Sequence, residues 1–451
     1  MLYRKVIEKL EEWKKTENKK ALLVTGARQI GKTYLIREFA RKNYEVFVEI
    51  NFLTYESAKM IFEGDINADS IIQKITAFCK QKLEPGKTLI FFDEIQECPN
   101  ARTAIKFLVD DGKFDYVESG SLLGVQYNTV KSYPVGYEHI VQMFPMTFEE
   151  FCIACGVQSS TFDLLEECYN KLEPVAEAIH NAMKQLFQVY VIVGGMPAVV
   201  QEYVVSHDIA KVVEIQKDIL LLYRQDIAKY SEKDREKITA IFDNIPSQLD
   251  SKNRRFKLNS IRSTARMERY EESFIWLKDA GVAIPCYNVV APQVPLKLNE
   301  QSNLLKLYMA DVGLLCVSCI DNVQFSILNG DLSVNMGSIL ENVYAQELLS
   351  KGFDIRFMNK KFGEIDFLIQ NNGKVIPLEI KSGQDYKKHT ALNNVLAVEE
   401  WRLNKAFVFC MGNVEAQTSV IYLPWYMIMF IKKDEIQKNT KFEVSLEGVK
   451  K

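Results

Sequence analysis

Short apolar runs alternate with segments of helical periodicity over the first 150 residues of the chain. This alternation is typical of a parallel sheet that has helices on its faces. The runs predict five strands, at residues 21–25, 46–52, 88–92, 116–119 and 140–144. The fold class predicted for this part of the chain is therefore α/β.

The remaining two thirds of the chain divide into three further patterns. Residues 156–235 have mainly helical periodicity, broken by Gly-Gly-Met-Pro at 194–197, and a polar stretch at 247–253 suggests a boundary. Residues 254–300 predict a small helical unit that ends in Pro285 and Pro292. Strands and helices return after residue 300, with apolar strands at 367–369 and 375–380. The predicted domains are 1–155, 156–235, 236–300 and 301–451.

Composition places the chain among soluble globular proteins, with 47% hydrophobic and 25% charged residues. The net charge of −3 gives no whole-chain argument for nucleic-acid binding, so such binding would need a local patch. The longest apolar run, at 420–431, is broken by Pro424 and is shorter than the roughly 20 residues that span a bilayer. No secretory signal follows Met1. The nine cysteines are an odd number, which fits a reducing compartment better than a disulfide framework. We expect a cytoplasmic protein without a membrane segment.

A glycine-rich segment follows the first predicted strand and precedes an amphipathic helix. Gly26 is followed after four residues by Gly31, Lys32 and Thr33, the spacing of a loop whose backbone N–H groups surround phosphates. Lys32 is expected to reach the β- and γ-phosphates of ATP, and the Thr33 hydroxyl to bind Mg²⁺. The alternative is a turn before an ordinary helix. The predicted nucleotide-binding residues are Gly26, Ala27, Arg28, Gln29, Ile30, Gly31, Lys32, Thr33 and Tyr34.

A second motif is the apolar strand at 88–92 that runs into two acidic residues, Asp93 and Glu94. Asp93 is expected to hold Mg²⁺ through water, and Glu94 to polarise the attacking water. The alternative is a strand that simply enters a turn. Because both motifs occur in the expected order, the sequence predicts an ATPase with ATP and Mg²⁺ as its cofactors.

Two further features of the predicted site stay open. Ser119 and Ser121 follow the fourth strand, where a polar side chain can sense the γ-phosphate or can cap the next helix. Arg28, Arg102 and Arg224 are candidates for the arginine that reaches the γ-phosphate. Sites of this class often take that arginine from a neighbouring subunit, so a homo-oligomer is a further expectation.

A group of carboxylates in the last third of the chain has the layout of a PD-(D/E)xK nuclease core. Asp366 and Glu379 lie on strands joined by a turn, and Lys381 follows Glu379 on the same face of its strand. These two acids, with Glu341 on a preceding helix, are the predicted metal ligands, and Lys381 would stabilise developing negative charge. The alternative is an exposed edge with a cross-strand ion pair.

The middle of the chain carries a basic stretch that could contact DNA. Arg262, Arg266 and Arg269 are spaced to share one face of a helix, and Arg254 and Arg255 precede them. This pattern favours a winged-helix-like unit that binds phosphates. The alternatives are a solvated face, or basic residues that pair with the ATPase domain.

Several motifs together resemble a family of bacterial and archaeal AAA+ ATPases that have a C-terminal nuclease-like domain. They are Tyr-Arg-Lys at 3–5, Gly-Ala-Arg-Gln-Ile-Gly-Lys-Thr at 26–33, Pro-Met-Thr-Phe-Glu-Glu-Phe at 145–151, Gly-Gly-Met-Pro at 194–197, Tyr-Arg-Gln-Asp at 223–226 and Lys-Leu-Tyr-Met-Ala-Asp at 306–311. Gly136-Tyr137 departs from the Gly-Arg of many members, so no arginine role is assigned there. The resemblance implies an AAA+ parallel sheet with a helical lid, a winged-helix-like unit and a restriction-endonuclease-like α/β domain.

Two functions are consistent with these patterns. In the first, ATP binding and hydrolysis control a metal-dependent nuclease that acts on DNA. In the second, the protein is an ATP-dependent switch or scaffold, and an inactive nuclease-like domain binds nucleic acid or a protein partner.

Overall fold

A computed structural model describes residues 2–120, 134–230, 234–251, 254–263, 265–319, 327–328, 336–360 and 363–434. A five-stranded, all-parallel sheet occupies the N-terminal third, in the order β2-β3-β4-β1-β5. Its strands are β1 (Ala21–Thr25), β2 (Val46–Asn51), β3 (Thr88–Asp93), β4 (Asp115–Gly120) and β5 (Glu138–Gln142). The helices around it are α1 (Val6–Lys15), α2 (Lys32–Asn43), α3 (Ala68–Cys79) and α4 (Pro99–Asp111). This architecture confirms the predicted parallel sheet flanked by helices.

Six helices follow the sheet, as the helical periodicity predicted. They are α5 (Phe148–Ala154), α6 (Ser159–Lys171), α7 (Glu177–Val193), α8 (Pro197–Ser206), α9 (Ile209–Tyr230) and α10 (Arg235–Asp250). Helix α5 begins with a capping box, in which Thr147 and Glu150 each accept a backbone N–H of the first turn. The loop at 194–197 separates α7 from α8.

The C-terminal part is built on an eight-stranded mixed sheet in the order β12-β13-β11-β10-β9-β8-β6-β7. Its strands are β6 (Ala283–Val289), β7 (Glu300–Met309), β8 (Arg356–Lys360), β9 (Gly363–Asn371), β10 (Lys374–Ile380), β11 (Ala406–Cys410), β12 (Glu415–Gln417) and β13 (Val420–Pro424). Its helices are α11 (Glu271–Asp279), α12 (Val312–Ser318), α13 (Met336–Ser350) and α14 (Thr390–Leu396). The predicted strands at 367–369 and 375–380 lie within β9 and β10.

The middle of the chain differs from the prediction. Strands β6 and β7 pair with each other, and β6 also pairs with β8, so a boundary at residue 300 would cut the large sheet. The expected helical unit at 254–300 therefore contributes strand β6 to the large sheet, β7 follows directly after it, and Pro285 lies inside β6. A free β-hairpin wing is not formed, because both strands belong to the large sheet.

The arginines at 262, 266 and 269 do not share a helix face. Arg266 has an extended backbone, and in the described residues 254–263 and 265–270 the helical structure before α11 is two short 3₁₀ turns, Leu258–Ser260 and Met267–Arg269. Phe256 N instead donates to Leu305 O at 2.9 Å, which fastens this segment to β7. Packing of Phe256 and Leu258 on the core overrides the helical spacing of the arginines.

One hydrophobic core continues from one face of the five-stranded sheet, through helices α5 to α10, into the C-terminal part of the chain. Phe148, Tyr190 and Tyr344 are buried members of it from three different parts of the chain. Among the residues described, none of the helices combines the length and apolar character that a membrane crossing needs.

Candidate functional site

The loop between β1 and α2 is shaped to hold phosphates. Gly31 precedes the first turn of α2 with φ of 86°, and Gly26 has φ of 143°. A Cβ atom at Gly26 would lie 2.4 Å from Met143 O, so no larger residue fits there. The N-terminus of α2 faces the same space, and its free N–H groups and partial positive charge favour an anion.

Lys32 lies across this loop. Its Nζ donates to Gly26 O at 3.0 Å and to Ala27 O at 2.8 Å. Burial lowers the pKa of Lys32 to about 8, although the nearby charges of Glu94 and Asp93 act in the opposite direction. A buried ammonium group that can exchange carbonyl partners for phosphate oxygens is thus present where the motif predicted it.

Asp93 accepts hydrogen bonds from three elements of the N-terminal third, α2, β2 and β4. Thr33 Oγ1 donates to Asp93 Oδ1 at 3.1 Å, Asn51 Nδ2 donates to Oδ2 at 2.8 Å, and Ser119 Oγ donates to Oδ1. A hydroxyl and a carboxylate side by side are oxygen donors of the kind that Mg²⁺ prefers, so Thr33 and Asp93 fit the ion. Ser119 contacts Asp93 and is fully buried, whereas Ser121 lies outside the described residues.

Glu94 follows Asp93 in a left-handed backbone conformation, with φ of 56°. Its carboxylate accepts a hydrogen bond from Gln96 Nε2 and borders a cavity of about 760 Å³. Further walls of this cavity come from the phosphate loop, from α2, from Leu2, Arg4 and Leu53, and from the start of α8 through Pro197, Ala198 and Gln201. A cavity of this size can accommodate a nucleotide.

The three candidate arginines have different partners. Arg28 borders the cavity and pairs with Asp226, and Tyr223 OH donates to Arg28 O at 3.2 Å. Arg102 is buried and forms an ion pair of 2.9 Å with Glu138, at the edge of the sheet. Arg224 forms an exposed ion pair of 2.9 Å with Asp243. Of the three, only Arg28 borders the cavity.

Arg4 is a site residue that the motifs did not predict. Its guanidinium donates to Ile30 O, in the phosphate loop, at 2.9 Å, and it also donates to Phe144 O. The same group forms an ion pair of 3.3 Å with the buried Glu150. Arg4 thus joins the start of the chain to the phosphate loop. The only signal in the sequence was its place in the Tyr-Arg-Lys motif.

The C-terminal sheet brings Asp366, Glu379 and Lys381 together. Strands β9 and β10 pair with Leu378 opposite Phe367, and Asp366 Oδ2 accepts a hydrogen bond of 2.8 Å from Ile380 N. Lys381 Nζ lies 2.7 Å from Glu379 Oε1, while Glu379 Oε2 is buried and has no hydrogen-bond partner among the described residues. Burial and the neighbouring Asp366 charge raise the pKa of Glu379 to about 8.

Glu341, the third predicted metal ligand, is held by cations instead. Its carboxylate pairs with Lys306 at 3.1 Å and with Arg254, and it accepts a hydrogen bond of 2.9 Å from Tyr308 OH. Lys306 also pairs with Glu364 at 2.6 Å. In the described part of the chain, no three acidic, histidine or cysteine side chains are grouped to share a metal ion. Asp366 and Glu379 fit a metal as a pair, and the predicted three-carboxylate set is not assembled.

The predicted DNA-contacting arginines divide into two groups. Arg262, Arg266 and Arg269 are exposed, whereas Arg254 and Arg255 are partly buried. Arg254 pairs with Glu341, and Arg255 Nε is buried with no hydrogen-bond partner in the part of the chain that the structure describes. The basic stretch therefore begins beside the carboxylate of Glu341 and continues outward onto the protein surface.

Three segments of the chain match family models. Residues 18–152 match a model described as an AAA domain. Residues 184–323 and 336–428 match two models described as domains of unknown function, DUF8612 and DUF4143 respectively. No curated protein matches the chain.

Among solved structures, a Walker-type ATPase of Pyrococcus abyssi is similar at 15% identity and a TM-score of 0.42, over 71% of this chain and 96% of that one. The Orc1 protein of Aeropyrum pernix, in complex with DNA, is similar at 13% identity and a TM-score of 0.29, over 72% and 91%. The RuvB Holliday junction branch migration motor of Thermotoga maritima is similar at 14% identity and a TM-score of 0.30, over 68% and 92%. Because all three TM-scores are below 0.5, these likenesses add nothing to the family match.

Proposed function

We propose that this chain, whose residues 18–152 form an AAA+ P-loop ATPase domain, hydrolyses ATP with the help of Mg²⁺. The observation that carries the proposal is that Lys32, Thr33 and Glu94 border one cavity at the phosphate loop, and that Thr33 Oγ1 there donates to Asp93. Thr33 and Asp93 would hold Mg²⁺, which supplies neutralising charge between the β- and γ-phosphates.

The remaining residues of the site have separate tasks. The N–H groups of the loop and of the first turn of α2 bind phosphate oxygens, and Lys32 donates to the β- and γ-phosphates in place of its present carbonyl partners. Glu94 accepts a hydrogen bond from the attacking water and takes its proton as the water oxygen bonds to the γ-phosphorus. The bond from that phosphorus to the oxygen it shares with the β-phosphate breaks, and ADP leaves. Ser119 and Asn51 keep the Asp93 carboxylate in position.

ATP binding to purified Lys32→Ala tests the phosphate-loop assignment. The variant should bind a fluorescent ATP analogue at least about a hundredfold more weakly, because a charge-assisted contact to two phosphates is lost. Lys42→Ala, on an exposed position of the same helix, is the matched control and should bind as the wild type does. Full affinity in Lys32→Ala would refute the assignment.

We propose as a second function that the C-terminal domain cleaves DNA under the control of the nucleotide state. Its support is the group formed by Asp366, Glu379 and Lys381 on adjoining strands, with one buried Glu379 oxygen unpartnered. The exposed Arg262, Arg266 and Arg269 would contact the phosphate backbone.

The competing function is an ATP-dependent switch whose C-terminal domain binds DNA or a protein without cleaving it. The occupation of Glu341 by Lys306 and Arg254 favours this alternative. Plasmid and single-stranded DNA incubated with Mg²⁺ or Mn²⁺ distinguish the two. Cleavage by the wild type that is absent in Asp366→Ala supports the nuclease. If the wild type cleaves neither substrate but slows their migration in a mobility-shift assay, the switch function is supported.

A further inference from the structure

The loop that separates α7 from α8 is fastened to the C-terminal domain by one carboxylate. Asp311 lies between β7 and α12, and its Oδ2 accepts a hydrogen bond of 2.6 Å from Gly195 N. Its Oδ1 accepts one of 3.1 Å from Leu314 N and thereby caps α12. A single side chain, only 1% exposed, therefore serves both the start of α12 and the loop at 194–197.

The two chain segments touch backbone to backbone at this point. A Cβ atom on Gly194 would lie 2.3 Å from Asp311 Oδ1, and one on Gly313 would lie 2.5 Å from Val193 O. Real Cβ contacts are essentially never that short, so glycine is required on both sides. The two segments therefore cannot slide past each other unless they first separate.

The far side of the same loop faces the ATPase domain. Met146 N donates to Gly195 O at 2.6 Å, and Pro197 begins α8 directly after the loop. Pro197, Ala198 and Gln201 form one wall of the nucleotide cavity. A Cβ atom at Gly31 would lie 3.9 Å from Pro197 Cγ, so the first turn of α8 lies against the phosphate loop.

We propose that Asp311 is a positioning residue of the nucleotide site, through which the C-terminal domain holds the first turn of α8 against the phosphate loop. Asp311 binds the backbone of Gly195 and does not border the cavity, so it acts through α8. ATP affinity and the docking of the C-terminal domain on the loop are therefore coupled. Coupling of two binding free energies is reciprocal, so bound ATP must strengthen the contact between Asp311 and Gly195. This inference rests on the proposed ATP site.

Steady-state ATPase kinetics of the full chain test the proposal. Asp311→Asn and Asp311→Ala should raise the KM for ATP about tenfold, because a buried hydrogen bond to a charged acceptor is lost. The kcat should change less than about twofold, since Asp93 and Glu94 are held by the central strands and not by α8. Gly194→Ala, which separates the same contact while the carboxylate is retained, should give the same pattern.

Asn342→Ala is the matched control. Asn342 is buried in the same domain, and its side chain bonds to Met309 N at 2.8 Å and to Met309 O at 3.0 Å without reaching the loop. This variant should lose stability but keep the KM for ATP. A general loss of folding would raise KM in both kinds of variant, so an equal rise would overturn the proposal.

Hydrogen exchange provides a readout that does not depend on turnover. A non-hydrolysable ATP analogue should slow exchange at the Gly195 amide in the wild type and not in Asp311→Ala. Failure of the wild type to bind the analogue would refute the proposed ATP site itself. Normal binding by the wild type, with an unchanged KM in folded Asp311→Asn, would refute the positioning role alone.

Discussion

The hydroxyl of Thr33, on the first turn of α2, lies 3.1 Å from the carboxylate of Asp93, at the end of β3. These residues belong to different motifs, and the fold brings them into direct contact because β1 and β3 flank β4 in the same parallel sheet. Ligands of open α/β sheets bind at the carboxyl ends of the strands, where these two side chains meet. The contact places both proposed Mg²⁺ ligands at one point before any ion arrives.

Thr33→Val should make the ATPase require more Mg²⁺, because valine has a similar shape but no hydroxyl oxygen. We expect the Mg²⁺ concentration for half-maximal activity to rise about tenfold, in line with the loss of one interaction at a metal site. Titration of the ATPase rate with MgCl₂ at saturating ATP measures it. Thr25→Val removes a buried hydroxyl that has no hydrogen-bond partner among the described residues. This control should neither change the Mg²⁺ requirement nor reduce stability.

ATP binding should take up a proton at pH above 8 and hardly any at pH 6.5. Burial lowers the pKa of Lys32 to about 8, and the negative phosphates of bound ATP raise it again. ATP affinity should accordingly fall as pH rises through 8, where the free site loses its charge. Calorimetry in two buffers of different ionisation enthalpy measures the uptake. Lys32→Arg stays charged and should abolish it, so an uptake that persisted in this variant would contradict the assignment to Lys32.

Lys306→Met should destabilise the protein strongly. Lys306 and Glu341 are both fully buried, so removal of the ammonium leaves the carboxylate with one cation fewer in a dry environment. Breaking a buried pair in this way costs about 3–5 kcal/mol. Urea unfolding followed by tryptophan fluorescence measures the change. The double variant Lys306→Met with Glu341→Gln should lose less than the sum of the two single changes, and simple additivity would speak against the pair.

Arg4→Gln should weaken both folding and ATP binding. The substitution removes the guanidinium donors to Ile30 O and Phe144 O. Each carbonyl that is left without a hydrogen bond costs about 1–3 kcal/mol of stability. Thermal unfolding and the KM for ATP measure the two effects. Lys5→Gln removes a neighbouring cation whose ion pair with Glu149 is partly exposed, and should be close to the wild type in both. Equal effects of the two changes would contradict a specific role for Arg4.

The nucleotide site could be predicted from the sequence because its chemistry is local. Gly26, Lys32 and Thr33 lie on one strand–loop–helix segment, and Asp93 and Glu94 lie at the end of one strand. The local backbone alone therefore brings the residues of each motif together. Arg4 and Asp311 could not be found in this way, since their partners are 26 to 146 residues distant for Arg4 and 116 residues distant for Asp311. Such contacts depend on how distant parts of the chain pack together. The hydrophobic periodicity of a segment carries no information about this.

In the middle of the chain, local spacing predicted the structure wrongly. The spacing of Arg262, Arg266 and Arg269 predicts a helix, but apolar side chains between them pack on the core and hold the backbone extended. The predicted boundary at residue 300 failed for a similar reason. Strand β6 finds its partners in β7 and in β8, which is more than 60 residues further on by the pairing of Asn288 with Phe357. Long-range pairing of this kind leaves no local signal in the sequence.

The C-terminal carboxylates lie between these extremes. The hairpin of β9 and β10 is local, and it placed Asp366, Glu379 and Lys381 together as predicted. Glu341 was expected beside them as a metal ligand, and the sequence did not indicate that Lys306, from a distant strand, would bind it.

Hydrolysis by Glu94→Gln tests the central claim most directly. The substitution keeps the size of the side chain and removes its basicity, so the account predicts ATP affinity within about threefold of the wild type and a single-turnover rate at least about a hundredfold lower. Glu97→Gln, three residues further along, is the control and should hydrolyse ATP at the wild-type rate. Hydrolysis by Glu94→Gln at that same rate would contradict the account.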